Sequence, residues 1–214
     1  MPTPKSGYFL KDGTKVPSVT TIIGPYGDPG GLMHWAWALG KEGKDYRQAR
    51  DKAADIGTIA HAAIEAHCKG EPFEFVGEPD VVDKARKAFE NFKTWFDGSN
   101  LIATHTEVGL VSEKYRFGGT LDAILFGKKR TLGDWKSSNK TGPKMLMQVA
   151  AYGKLWAEHH PNEPLDGGYD LLRVDKKNGD FKHMHWDELD RAWDAFLHLR
   201  ALYDINKELK ARAA

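Results

Sequence analysis

Cysteine is nearly absent from this sequence, because its 214 residues include only Cys68. A single cysteine excludes a disulfide within the chain, and it also excludes an iron–sulfur cluster held by four cysteines. Long apolar runs are missing too, and none approaches the roughly 18 residues that a membrane-spanning helix needs. The opening residues, MPTPKSGYFLKDG, contain no cationic stretch followed by an apolar one. We therefore expect no signal peptide, no membrane association and a cytoplasmic location.

An excess of charge of either sign is also absent. Lys and Arg together number 31 and Asp and Glu number 30, which gives a formal net charge of +1. This balance counts mildly against a protein that holds polyanions through net charge alone. The 41% hydrophobic content and seven tryptophans predict a folded globule, and the length suits one domain, residues 1–214, with a single sizeable core.

The predicted elements divide the chain into a helical first part, a strand-rich second part and a final helix. Residues 1–100 are mostly helical, with helices expected over 32–40, 46–68 and 80–96. A hairpin over residues 8–16 and a short helix capped by Ser18 come before them. Residues 101–186 are expected to form strands over 101–112, 115–126 and 131–137, a helix over 143–159, and strands over 169–175 and 181–186. A helix over 187–210 follows, so we expect an α/β fold with a helical N-terminal layer.

The most informative residues are Gly118-Gly119-Thr120-Leu121-Asp122, followed by Gly133-Asp134-Trp135-Lys136. Asp122 lies in an apolar stretch that reads as a buried strand, where a carboxylate is costly unless it is paired or metal-bound. Asp134 and Lys136 point to one face of the next strand, and Trp135 between them points into packing. Two carboxylates and an ammonium would then meet on one side of a sheet. Carboxylates hold Mg²⁺ or Mn²⁺, and a nearby lysine orients water or offsets charge, so the pattern indicates phosphodiester hydrolysis.

Further polar groups lie on elements next to this stretch. Glu107 lies on the preceding strand, where a metal ligand and a cross-strand salt bridge are the two interpretations. His61 and Glu65 share a face of a helix, as do Gln148 and Tyr152, because each pair is four residues apart. The polar segment after the third strand offers groups that suit phosphate oxygens, namely Ser137, Ser138 and Lys140.

The ordered set of His61, Glu107, Asp122, Asp134-x-Lys136 and Gln148-x-x-x-Tyr152 resembles the PD-(D/E)xK nuclease superfamily. It is most similar to the branch that contains the RecB nuclease domain, phage recombination exonucleases and the mitochondrial genome-maintenance exonuclease. The matches also include Gly57-Thr58 ahead of His61, and they run from about Ser18 to Tyr152. The resemblance implies a restriction-endonuclease-like core, with a central mixed sheet flanked by helices.

The same resemblance implies roles for individual residues. The expected catalytic residues are Lys136, Asp122, Asp134 and Glu107. The expected ligands for one or two Mg²⁺ or Mn²⁺ ions are His61, Glu107, Asp122, Asp134 and the carbonyl of Trp135. The expected DNA contacts are Thr58, Ser137, Ser138, Lys140, Gln148 and Tyr152.

The expected function is that of a metal-dependent exonuclease, which hydrolyses phosphodiester bonds from the ends of single- or double-stranded DNA. Phage or mobile-element recombination and repair is the expected setting, with a single-strand annealing or binding protein as a further partner. An endonuclease of the same fold and a catalytically inactive DNA-binding module remain as alternatives. Trp35 and Trp37 are interpreted as core residues rather than as a stacking surface for bases. The oligomeric state is left open.

Overall fold

The computed structural model describes residues 6–27, 29–137, 141–175 and 180–213. In this part of the chain a short hairpin is followed by four helices: β1 (Tyr8–Phe9), β2 (Lys15–Val16), α1 (Val19–Ile23), α2 (Pro29–Lys41), α3 (Tyr46–Lys69) and α4 (Pro79–Gly98). A strand-rich part completes the fold: β3 (Ile102–Ser112), β4 (Phe117–Phe126), β5 (Arg130–Lys136), α5 (Pro143–His159), β6 (Tyr169–Val174), β7 (Phe181–Trp186) and α6 (Asp190–Ala213).

Local sequence signals fix the ends of several helices. The Ser18 side chain accepts a hydrogen bond of 3.0 Å from the backbone N–H of Thr21 and so caps α1, as the sequence predicts. Asp45 caps α3 in the same way, and Gly70 ends α3 in the left-handed conformation with φ of 70°. Pro143 occupies the first turn of α5, where its missing N–H costs nothing.

The main sheet has five strands in the order β3-β4-β5-β6-β7. The first three strands form an antiparallel meander, as the sequence predicts. Strand β6 then pairs with β5 in parallel, because α5 carries the chain back across the sheet, and β7 pairs antiparallel with β6. The predicted α/β fold with a mixed sheet flanked by helices is confirmed.

Helices cover both faces of this sheet and build two hydrophobic clusters. On one face α3 and α4 bury side chains against the sheet, among them Phe92 and Trp95. On the other face α1, α5 and α6 do the same, with Trp156 and Phe196 fully buried. Burying a side chain of this size contributes roughly 1.5–3 kcal/mol, so the two clusters stabilise the packing of the helices on the sheet.

Helix α2 corrects one expectation from the sequence. Trp35 and Trp37 are 37% and 58% exposed, so the interpretation of both as core residues is wrong. Leu32 and Met33 on the same helix are exposed as well. Apolar composition predicts burial only where another element covers the helix, and α2 packs chiefly against α3. In the part of the chain described here, no helix combines the length and the apolar character that crossing a bilayer requires.

Candidate active site

Strands β4 and β5 separate at the centre of the candidate site. Their paired residues run from Phe126 and Arg130 to Ala123 and Gly133, and the ladder stops there. At the next step the backbone N–H of Trp135 donates instead to Asp122 Oδ2, over 2.8 Å. The Asp122 carboxylate thus takes the place of a backbone acceptor, and this fixes its position between the two strands.

Three side chains from three elements converge on one point. His61 of α3, Glu107 of β3 and Asp122 of β4 each offer a ligand atom, and these atoms all lie within 4.8 Å of one another. His61 Nδ1 is 3.7 Å from Asp122 Oδ1. Imidazole and carboxylate groups at such distances are a donor set that suits a divalent transition-metal ion or Mg²⁺.

The backbone at Glu107 is in an unusual conformation. Its φ is 52°, in the left-handed region that a glutamate rarely adopts. The register that pairs Val108 with Leu121 places Glu107 beside Asp122 on the neighbouring strand. Strained backbone that persists in a fold is concentrated at functional sites, so this conformation agrees with a role for the carboxylate in the cluster.

Asp134 and Lys136 form a buried ion pair next to this cluster. Lys136 Nζ is 2.6 Å from Asp134 Oδ2, and Asp134 is fully buried. Among the described residues, Asp134 Oδ1 has no hydrogen-bond partner. An unsatisfied buried carboxylate oxygen is costly, and a cation bound nearby would compensate for it. The residues present therefore fit a divalent metal ion.

Burial and neighbouring charges shift the pKa values of the ionisable side chains in the site. Burial and the charge of Asp122 raise the pKa of Glu107 to about 7. Burial raises the pKa of Asp134 to about 6, although Lys136 opposes this effect. For Lys136, burial lowers the pKa, but the charges of Asp134 and Asp122 outweigh it and the pKa is raised overall. Lys136 therefore carries its positive charge at neutral pH.

A cavity of about 530 Å³ opens onto these groups. Helix α5 provides one wall, where Gln148 Nε2 donates to Tyr152 Oη over 2.8 Å. Burial raises the pKa of Tyr152, so its hydroxyl stays protonated. Thr58 also lines the cavity, and its hydroxyl donates to the carbonyl of Ala54 over 3.1 Å.

The structure gathers most of the residues singled out in the sequence. Seven of the expected catalytic, metal-binding and DNA-binding residues line the cavity, namely Thr58, His61, Glu107, Asp122, Lys136, Gln148 and Tyr152, and Glu65 lines it as well. Asp134 lies buried beside Lys136, and Ser137 lines an adjoining cavity of about 480 Å³ that shares His61 and Lys136 with the first. Ser138 and Lys140 lie outside the described residues. The role of each residue remains a prediction.

Trp135 belongs to both the strand and the core. Its ring lies against Phe92 and Trp95 of α4, with centroid distances of 4.9 Å and 5.7 Å. The side chain therefore points away from Lys136 into packing, as alternation along the strand predicts. Its suggested role as a ligand through the carbonyl stays a prediction.

Sequence reasoning missed one wall of the cavity. Tyr8, Ser18 and Thr20 line it, and Tyr8 Oη lies 2.8 Å from Thr120 Oγ1. The signal available was the pair Gly118-Gly119. The ring of Tyr8 occupies the space that a Cβ on Gly118 would need, and the ring of Tyr152 does the same at Gly119. Glycines in a buried strand indicate close approach, but they do not say which residue approaches.

Comparison with solved structures finds similar folds among exonucleases. An exonuclease candidate from Eubacterium rectale is 10% identical, with 69% of this chain and 64% of that chain covered and a TM-score of 0.46. An alkaline exonuclease from Laribacter hongkongensis is 18% identical over 58% of this chain and 71% of its own, with a TM-score of 0.34. Its complex with dAMP is 17% identical over 76% and 92%, with a TM-score of 0.35. The chain is similar in fold to solved exonuclease structures.

The chain spans less than two thirds of the length of the Eubacterium rectale protein. No protein-family model matches the chain, and no curated protein matches it significantly.

Proposed function

We propose that this protein is a divalent-metal-dependent deoxyribonuclease that hydrolyses phosphodiester bonds from DNA ends. The observation that carries the proposal is the convergence of His61, Glu107 and Asp122 beside the buried Asp134–Lys136 pair. Acids, an imidazole and an ammonium at the wall of one open cavity are the groups that metal-assisted phosphoryl hydrolysis requires.

His61, Glu107 and Asp122 would hold the ion. Asp134 Oδ1, which has no hydrogen-bond partner among the described residues, would be a further ligand. Mg²⁺ and Mn²⁺ both accept carboxylate ligands, and the imidazole makes Mn²⁺ the better match. A bound ion supplies Lewis-acid stabilisation of the phosphate oxygens and a more acidic water.

Lys136 would act as a fixed positive charge. Its ammonium is held at 2.6 Å by Asp134 and reaches the cavity wall, so it needs little reorganisation when a phosphate arrives. It can orient the attacking water and offset the negative charge that develops on the phosphoryl oxygens. The Asp134 carboxylate therefore positions Lys136 in addition to any contact with metal.

Gln148 and Tyr152 would position the DNA backbone. Because the Gln148 amide donates to Tyr152 Oη, the hydroxyl proton of Tyr152 remains to be donated to another acceptor. A phosphate oxygen in the cavity is such an acceptor. Thr58, which lines the same cavity, would contact the same strand.

The preference for DNA ends over internal sites is supported by the resemblance to exonucleases of the RecB and phage recombination branch. The same resemblance supports a setting in phage or mobile-element recombination or repair. Neither point follows from the chemistry of the site, and digestion of linear DNA beside a closed circle distinguishes end-directed from internal cleavage.

The test is digestion of end-labelled linear single- and double-stranded DNA and of a closed circle, with Mg²⁺, Mn²⁺ or EDTA. We expect metal-dependent loss of linear DNA and a spared circle. Lys136→Ala should reduce the rate by about 10²–10³-fold, since it removes one charge aimed at the developing oxyanion. The matched control is Lys87→Ala, because Lys87 is an exposed lysine of α4 away from the cavity.

Each other outcome is informative. Cutting of the circle would assign an endonuclease. DNA binding without degradation under any metal would assign a binding module and overturn the proposal. Equal loss of activity in Lys136→Ala and Lys87→Ala would show that the effect does not come from the site.

A further inference from the structure

A second large cavity adjoins the metal-site cavity on the side of the β1–β2 hairpin. Its volume is about 670 Å³, and the two cavities share a wall formed by Tyr8, Ser18 and Thr20. The two cavities therefore lie next to each other along this wall.

The second cavity is lined by cations from three separate elements. Lys15 comes from β2, Arg116 from the turn between β3 and β4, and Lys207 from α6. All three are exposed, and no described carboxylate lies within ion-pair distance of any of them. This is unlike Lys44, Arg50 and Lys52 on the helical side, each of which is paired with an acid.

The acids near this cavity are few. Asp204 lines it but is paired with Arg200, with 2.6 Å between Oδ1 and Nη1. Asp12 lies near Arg116; its pKa is lowered mainly by the backbone N–H of Thr14 and, to a smaller extent, by Arg116. The local balance is therefore positive, although the whole molecule has a net charge of only +1.

Two of the cations are placed by their surroundings. The stem of Lys15 lies across Gly7, with its Cε 2.8 Å from where a Cβ would sit, so the absence of a side chain at Gly7 allows this path. Arg200 Nε donates to the carbonyls of Tyr115 and Arg116, each over 3.2 Å, and this ties the turn that carries Arg116 to α6. Packing and hydrogen bonds therefore fix the positions of Lys15 and of the turn that carries Arg116.

We infer that this second cavity is a phosphodiester-binding groove, which holds the backbone of the DNA strand next to the scissile phosphate. The inference rests on the proposed function for the position of that phosphate. Lys15, Arg116 and Lys207 contact phosphates without reading bases, so the groove contributes affinity and register but no sequence preference. Hydroxyls of Thr14 and Thr21 on the same wall add neutral donors.

The test removes the three charges together, as Lys15→Gln, Arg116→Asn and Lys207→Gln in one protein. Asn is chosen at Arg116 because that residue has φ of 57°, which Asn tolerates better than most residues. The control changes the net charge by the same amount at three exposed lysines outside the cavities, as Lys87→Gln, Lys129→Gln and Lys182→Gln. Binding of a fluorescent single-stranded oligonucleotide is measured by anisotropy in EDTA across a salt series, so that hydrolysis does not interfere.

Each phosphate contact contributes about 0.7 to the slope of log affinity against log salt for a single strand. We expect the groove variant to lose about 2 from this slope and the control variant to lose little. The groove variant should also keep its rate on bis(p-nitrophenyl) phosphate, a diester with no strand beyond the reacting phosphorus, while its rate on DNA falls. An unchanged slope in the groove variant, or an equal loss of slope in both variants, would overturn the proposal of a phosphodiester-binding groove. Inorganic phosphate binding with no change in the DNA slope would assign a simple anion site instead and also overturn it.

Failure of the nuclease proposal leaves a different signature. If the wild-type protein hydrolyses neither DNA nor the small diester, the catalytic assignment fails. The anisotropy measurements still test the proposed groove in that case, because DNA binding in EDTA requires no hydrolysis. A wild-type protein that binds no DNA would overturn the groove directly.

Discussion

At the scale of single residues, the raised pKa of Glu107 makes the stability of the fold depend on pH. This pKa is about 7 in the fold, above the value of 4.5 for an unperturbed glutamate, because of burial and the charge of Asp122. The folded state then binds more protons than the unfolded state between these values, so stability is greatest at low pH within this window and falls as pH rises from about 4.5 to 7. Asp134, with a pKa of about 6, acts in the same direction.

We predict that, in EDTA, Glu107→Gln is more stable than the wild-type protein at pH 7.5 by on the order of 1–2 kcal/mol, because a buried charge is removed. The difference should shrink towards pH 4.5, where the wild-type carboxyl is protonated. Urea unfolding across this pH range measures it. A gap that stays constant with pH would show that titration of Glu107 is not its cause.

Gly119 gives a second prediction at this scale. A Cβ there would lie 2.6 Å from Tyr152 Cε1 and 3.2 Å from Leu155 Cδ1, so Gly119→Ala must displace the tyrosine ring. We expect a loss of about 1–3 kcal/mol in unfolding free energy, as is typical of overpacking, and reduced nuclease activity. Gly109→Ala on the neighbouring strand is the control, since its nearest neighbour would be Thr120 Oγ1 at 3.8 Å. Equal effects of the two substitutions would contradict the packing argument.

At the scale of elements, α4 supports the strand that carries Asp134 and Lys136. Phe92 is fully buried against Trp135, so the helix fixes β5 from the face opposite the cavity. We predict that Phe92→Ala costs about 3–5 kcal/mol of unfolding free energy, the range for a large-to-small change in a core. Phe126→Ala is the comparison, because Phe126 is 40% exposed and should cost far less. Denaturant unfolding of both variants measures the two losses, and equal losses would contradict the role assigned to Phe92.

Most elements were predictable from the sequence because their apolar residues recur with the period of a strand or of a helix. The predicted strands over 115–126 and 131–137 are observed as Phe117–Phe126 and Arg130–Lys136. The pairing of Asp134 with Lys136 and of Gln148 with Tyr152 follows from spacing alone.

Three features did not follow from spacing. The face used by Glu107 depends on a register shift between Ala103 and His105 and on a left-handed residue, and neither has a local signature in the sequence. The approach of Tyr8 to Gly118 is a contact over more than 100 residues, which local propensity does not encode. The exposure of Trp35 and Trp37 depends on the lack of a covering element over α2 and not on their own helix.

At the scale of the whole molecule, the candidate metal site joins two layers of the fold. His61 belongs to the helical layer, whereas Glu107 and Asp122 belong to the sheet. An ion bound by all three ties α3 to β3 and β4. Because such an ion binds only the folded state, at a hundredfold excess over its dissociation constant it adds about 2.7 kcal/mol to the unfolding free energy.

We predict that Mn²⁺ slows amide hydrogen exchange in α3 around His61 as well as in β3 and β4. In His61→Ala the protection of α3 should disappear, while Glu107 and Asp122 still retain weak binding at the sheet. Lys87→Ala, on α4, should respond like the wild-type protein. Protection confined to the strands in the wild-type protein would mean that the histidine is not a ligand, and the site would then belong to the sheet alone.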